Sequence, residues 1–126
     1  MLLVPISVGE LIDKLSILQI KLQLIEDPDK WKNVKREWDE LSNLSEYKNI
    51  AYEVAPFFTN LYIVNMQLWK IEDDIRECER TENFGERFIQ LARSVYKTND
   101  KRAAIKKQIN LKYKSEIVEE KSYKDY

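Results

Sequence analysis

Histidine is absent from this chain, cysteine occurs once and glycine twice. Without histidine there is no His-based catalytic triad, no ordinary zinc site and no imidazole to titrate near neutrality. Any catalysis has to rest on carboxylates, lysine, arginine, tyrosine or one thiol. The lone cysteine, Cys78, excludes an internal disulfide and any multi-cysteine metal site. It falls on an apolar seam, where a small buried thiol is expected. Two glycines and three prolines in 126 residues are too few turn formers for an all-β or α/β chain of this size. Few, long elements joined by short loops follow. No apolar run approaches the roughly 20 residues that span a bilayer. Met1 to Ile6 is apolar but has no basic leader and reads as no signal peptide. The expectation is a cytoplasmic protein without membrane insertion.

Charge of either sign is not in excess: 21 basic and 22 acidic side chains leave a net charge of −1. That balance removes the electrostatic drive for nucleic-acid binding and also a reserve against self-association. An apolar fraction of 44% with 34% charged residues describes one helix-rich domain over residues 1–126.

The apolar residues are strongly periodic. Phe57, Leu61, Val64, Leu68, Ile71, Ile75 and Cys78 step 4, 3, 4, 3, 4, 3, the heptad seam of a coiled-coil-like helix. Val8, Leu11, Leu15, Leu18, Leu22 and Ile25 step 3, 4, 3, 4, 3. Ser7 with Glu10 forms a capping box that starts the first helix near Val8, and Asp27-Pro28 ends it near Ile25. Pro28 opens a second helix with Trp31, Val34, Trp38 and Leu41 on one face. Ser42 to Val54 reads as a loop with a helical turn, and Pro56 opens a third helix reaching about Glu79. Asn83 caps a fourth, with Glu86 three residues on. Thr98-Asn99-Asp100 marks either a break before a fifth segment or a bend in one helix. The sequence therefore predicts an all-α antiparallel bundle of four to five helices, with the first and third as its central antiparallel pair. The charged tail from Glu116 to Tyr126 is ordered only if it docks.

Three polar groups are candidates for chemistry. Asn65, Trp69, Glu72 and Arg76 step 4, 3, 4 beside the third helix's seam, where a carboxylate and an arginine could take a phosphate, a metal or a sugar. The competing interpretation is a solvated face whose Glu72 and Arg76 form an i,i+4 pair. Asp13 and Lys14 lie on the first helix; Asp13 needs a partner if buried, and an arginine of the fourth or fifth segment is the expected one. Arg93, Tyr96, Asn99, Asp100, Arg102 and Lys106 gather near the expected break and read either as an anion pocket or as a locally capped kink. No phosphate-binding glycine loop, CxxC or HExxH motif is present. Glu37 and Glu40 form an ExxE pair whose ExxD counterpart is missing. No catalytic residue, metal ligand or cofactor is assigned.

The blocks Ser7–Leu15, Leu68–Arg76, Leu91–Tyr96 with Asn99-Asp100, and Glu119–Tyr123 together resemble a family of small bacterial and phage-borne proteins of unknown function. The resemblance implies, for some members, a link to cell-surface polysaccharide synthesis. The resemblance implies that the Glu119–Tyr123 block is a structured part of the domain; it brings no activity or cofactor. Ile12-Asp13 is also similar to the opening of small all-helical chorismate mutases, but the substrate-gripping arginine of that helix is missing here.

Two functions are in competition. The first is a non-catalytic, homodimeric scaffold or adaptor that docks a protein partner or a small anionic ligand. The second is a small enzyme or binding protein for a phosphorylated or nucleotide sugar, with an Arg/Asp/Glu site between helices. Convergence of Asp13, Glu72, Arg76, Arg93 and Asp100 on an open pocket favours the second; a closed network between helices favours the first.

Overall fold

The computed structural model describes residues 1–126 as four helices: α1 (Val8–Leu24), α2 (Pro28–Ser42), α3 (Ser45–Arg80) and α4 (Glu86–Lys112). There is no strand, and the helices pack as a bundle. None of them is long and apolar enough to cross a membrane. Ser7 caps α1, its Oγ accepting from the Glu10 N–H at 3.1 Å. Only half of the expected capping box forms, because the Glu10 carboxylate is held elsewhere. Asp27 caps α2 and Pro28 occupies its first turn. The Trp31 indole N–H donates to the Leu22 carbonyl at 3.0 Å and ties α2 to α1. No residue of α2 is buried, so its apolar face covers α1 from outside without entering the core.

Helix α3 begins at Ser45, and Pro56 lies inside it rather than at its start. A proline there removes one i→i−4 bond, to the Tyr52 carbonyl, beside a Tyr52 side chain that is fully in solvent. Packing outweighs that loss. Val54 is completely buried, and Tyr47, Ile50, Phe57 and Phe58 close around Ile12, Leu61 and Ile109. The stretch Ser42–Val54 is therefore helical for most of its length. Helix α4 likewise runs unbroken through Thr98-Asn99-Asp100. Those side chains do not compete for their own backbone: Thr98 is buried and Asn99 bonds to Arg102. Asn83 is no cap of α4. Gly85 holds that place, and Asn83 Oδ1 accepts from its N–H at 3.2 Å.

Both long helices end in the same way. At the end of α3, Glu82 has a φ of 55°, with Asn83 N–H bonded to the Cys78 carbonyl. At the end of α4, Lys114 has a φ of 49°, with Ser115 N–H bonded to the Asn110 carbonyl. This is the Schellman arrangement, here built without glycine.

Register bonds give the topology. Asn65–Arg102 and Glu53–Lys112 make α3 and α4 antiparallel, and Gly9–Asn110 with Glu10–Lys106 make α1 and α4 antiparallel. Helices α1 and α3 therefore run in the same sense, contrary to the expected antiparallel pair. The chain reverses twice between them, through α2, so α4 is the antiparallel mate of both. After Ser115 the chain turns back along α4 as a non-helical strap. Glu119 meets Lys106, Glu120 meets Lys107, and the Tyr126 hydroxyl donates to Asp100 Oδ2 at 2.7 Å.

Candidate functional site

Burial of polar groups locates the site. Ser7, Asp13, Ser16, Asn65, Thr98, Lys106 and Asn110 are all buried. Most of them are joined in one strip where α1, α3 and α4 meet. Asn65, from the middle of α3, donates through Nδ2 to Asp13 Oδ1 at 2.8 Å and to Ser16 Oγ at 2.9 Å. Its Oδ1 accepts from Arg102 at 3.3 Å, and Arg102 also donates to Asn99 Oδ1 at 2.7 Å. The partner of Asp13 is thus Lys106, not an arginine. The ammonium lies 3.8 Å from Asp13 Oδ2, 2.8 Å from Glu10 and 3.5 Å from Glu119. Burial alone would depress Lys106, but the Glu10 hydrogen bond and the charges of Asp13, Glu10 and Glu119 outweigh it and raise its pKa. Burial likewise pushes the Glu119 carboxyl up, and Lys106 and Lys121 hold it below its ordinary value. Apart from the Tyr113 hydroxyl, no buried side-chain nitrogen or oxygen lacks a hydrogen-bond partner.

The strip reaches solvent at Arg102. Its half-buried guanidinium bonds to two neutral amide oxygens, which orient it without cancelling its charge. It opens on a cleft of about 310 Å³ whose apolar wall includes Ile17, Ile20, Leu68, Trp69 and Val95. Leu68 and Ile71 of the α3 seam are half-buried here and line this cleft together with α1 and α4. Glu72 lies on the rim, with Oε1 accepting from Arg76 Nε at 2.8 Å. Arg102 is also a wall of a second hollow of about 370 Å³, shared with Tyr96, Asp100, Lys121 and Tyr123.

The sequence-derived candidates therefore separate. Asp13 belongs to the closed strip, while Asn99, Arg102 and Glu72 border the cleft. Tyr96 and Asp100 border the second hollow. Lys14 and Arg76 are in solvent, and Arg93 bonds only to Gln90 of its own helix. Asn65 is the residue sequence reasoning placed beside the seam without recognising as central; Gly9, Ser16 and Asn110 gave no signal. No group of three metal-binding side chains comes together.

Neither a curated protein nor a solved structure matches the chain. One family model does, across residues 2–126, and its description is a family of unknown function. The chain belongs to that family, DUF6165.

Proposed function

We propose that this domain is a binding module for a small organic anion, which Arg102 grips through a phosphate or carboxylate while the Trp69 cleft receives the apolar or planar body. The supporting observation is the half-buried Arg102, oriented by Asn65 and Asn99 and making no ion pair of its own. A guanidinium fixed in that way presents its remaining N–H groups in the fork that matches two anionic oxygens. Binding without turnover is the reading because the cleft brings a single carboxylate, Glu72, and no second acid, base or nucleophile beside it. Phosphorylated and nucleotide sugars are the class we place first. A phosphate suits Arg102 and a base suits the Trp69 wall; a link to surface-polysaccharide synthesis rests on the motif resemblance alone. Titration calorimetry with a phosphate monoester and a uridine diphosphate sugar tests the reading. Arg102→Met should weaken binding at least tenfold, about 1.4 kcal/mol, with the fold retained by circular dichroism. Unchanged binding in that variant rejects it.

A second reading, a homodimeric scaffold or docking module of the cytoplasm, has its own support. Leu2 and Leu3 are 91% and 88% exposed in the segment before α1, and apolar surface of that kind is commonly covered by a partner. Light scattering of the wild type and of Leu2→Ser/Leu3→Ser tests it: a dimer lost in the variant supports docking, and a monomer in both rejects self-association.

A further inference from the structure

Arg102 faces two hollows, and a simple anion with an apolar body accounts for only one of them. The second has its floor on α4, at Tyr96, Asn99, Asp100 and Arg102, and is covered by Lys121 and Tyr123 of the C-terminal strap. Glu119 and Glu120 fasten the strap to Lys106 and Lys107, and the Tyr126 ring rests on Tyr96 with centroids 5.2 Å apart. Between these two anchors the strap carries Lys121 and Tyr123 over Asp100 and Arg102. Lys121 Nζ lies 5.7 Å from the centroid of the Tyr123 ring. At about 370 Å³ the hollow falls in the usual range for small-molecule sites, roughly 300–1,000 Å³.

Its chemistry differs from that of the Trp69 cleft. Asp100 is a carboxylate with Oδ2 occupied by Tyr126 and Oδ1 open to a donor. Asn99 Oδ1 accepts from Arg102, which leaves its amide N–H groups to donate. Tyr96 and Tyr123 supply ring faces and hydroxyls. A second anion placed here would face the Asp100 charge. A neutral group rich in hydroxyls would find acceptors in Asp100 and the tyrosine oxygens, donors in Asn99 and Lys121, and aromatic faces for its C–H surfaces.

Building on the anion-binding reading of Arg102, we propose that this strap-covered hollow is the subsite for a polyhydroxylated group attached to the anion. The ligand then lies across Arg102, with its anionic group at the guanidinium and its hydroxyl-bearing ring under the strap. Asp100 and Tyr123 become the residues that select it. A site that hydrogen-bonds hydroxyls discriminates strongly against an analogue lacking them, because its polar groups are left unpaired.

Calorimetry on the full chain with ethyl phosphate and a hexose 1-phosphate tests this. The wild type should bind the hexose phosphate at least tenfold more tightly than ethyl phosphate. Tyr123→Ala should narrow that ratio at least threefold and leave ethyl phosphate unchanged. Asp100→Asn should also narrow it, with ethyl phosphate bound as well as or better than in the wild type, since a repelling charge is gone. Equal affinity of the wild type for both ligands overturns the subsite and leaves the Arg102 reading standing. So do variants that weaken both ligands alike. Failure of the wild type to bind either ligand overturns the Arg102 reading and the subsite together.

Discussion

The Gly9 amide donates to Asn110 Oδ1 at 2.6 Å, joining the first turn of α1 to the last turns of α4 across 101 residues of chain. A Cβ at Gly9 would stand 2.6 Å from the Lys106 carbonyl oxygen and 2.8 Å from Asn110 Oδ1. The backbone atom cannot swing aside, so Gly9→Ala has to separate the helices. Overpacking of this kind costs about 1–3 kcal/mol. Urea denaturation should show that loss. A midpoint equal to wild type would mean that α1 and α4 do not approach this closely.

Lys106 is the cation on which the buried carboxylates depend. Replacing it by methionine keeps the stem but leaves Asp13, 5% exposed, without a counter-ion. Removing one partner of a buried pair costs roughly 3–5 kcal/mol. Lys106→Met should therefore be far more damaging than Lys107→Met, whose ion pair with Glu120 is in solvent. Thermal melting of the two variants compares them, and equal melting temperatures would refute the hub.

The same hub fixes the sign of the pH response. The Lys106 pKa is raised above 10.5 in the folded state, so its stabilisation is present below that value and is lost as pH climbs through the folded pKa. The Glu119 pKa is lowered from 4.5, so its contribution is present above that value and is lost as pH falls through the folded pKa. Stability should be level across neutrality and fall on both flanks. In Lys106→Met the alkaline fall should shrink, as should the acid one. Chemical denaturation between pH 3 and 11 reads both flanks.

Two helix ends place a side-chain-bearing residue where glycine fits best. Glu82 and Lys114 hold the left-handed conformation with φ of 55° and 49°. That conformation costs an L-residue roughly 1–2 kcal/mol. Glycine removes the strain and adds freedom to the unfolded chain. Glu82→Gly and Lys114→Gly should each raise stability by up to about 1 kcal/mol. Destabilisation in both would show that the helices end differently.

Much of this architecture is legible in the residues. Ser7, Pro28 and the two heptad seams mark α1, α2 and the body of α3, because capping and apolar spacing are local properties. The start of α3 was hidden, since Pro56 looks like a helix opening and the burial of Val54 against Ile12 and Ile109 is not local. Thr98-Asn99-Asp100 resembles a break by residue type, yet Asn99 accepts from Arg102 three residues further along the same helix, while the burial of Thr98 and the Tyr126 hydroxyl on Asp100 are not local. The demand of Asp13 for a cation was readable, whereas the identity of Lys106 was not. Arg102 stood among several arginines, and only its depth and its two amide partners separate it from Arg76 and Arg93. The parallel course of α1 and α3 follows from the two reversals through α2.

The anion-binding reading and the subsite built on it depend on Arg102 offering an uncompensated guanidinium to solvent. Arginine Nε–H resonances followed by NMR during titration with a phosphate monoester observe that group itself. Arg102 should shift saturably at low millimolar ligand or below, while Arg76, Arg80 and Arg93 stay in place or drift linearly with ionic strength. A uniform drift of all the arginines, with no saturable change at Arg102, would mean that Arg102 is only a structural brace and that the cleft binds no anion.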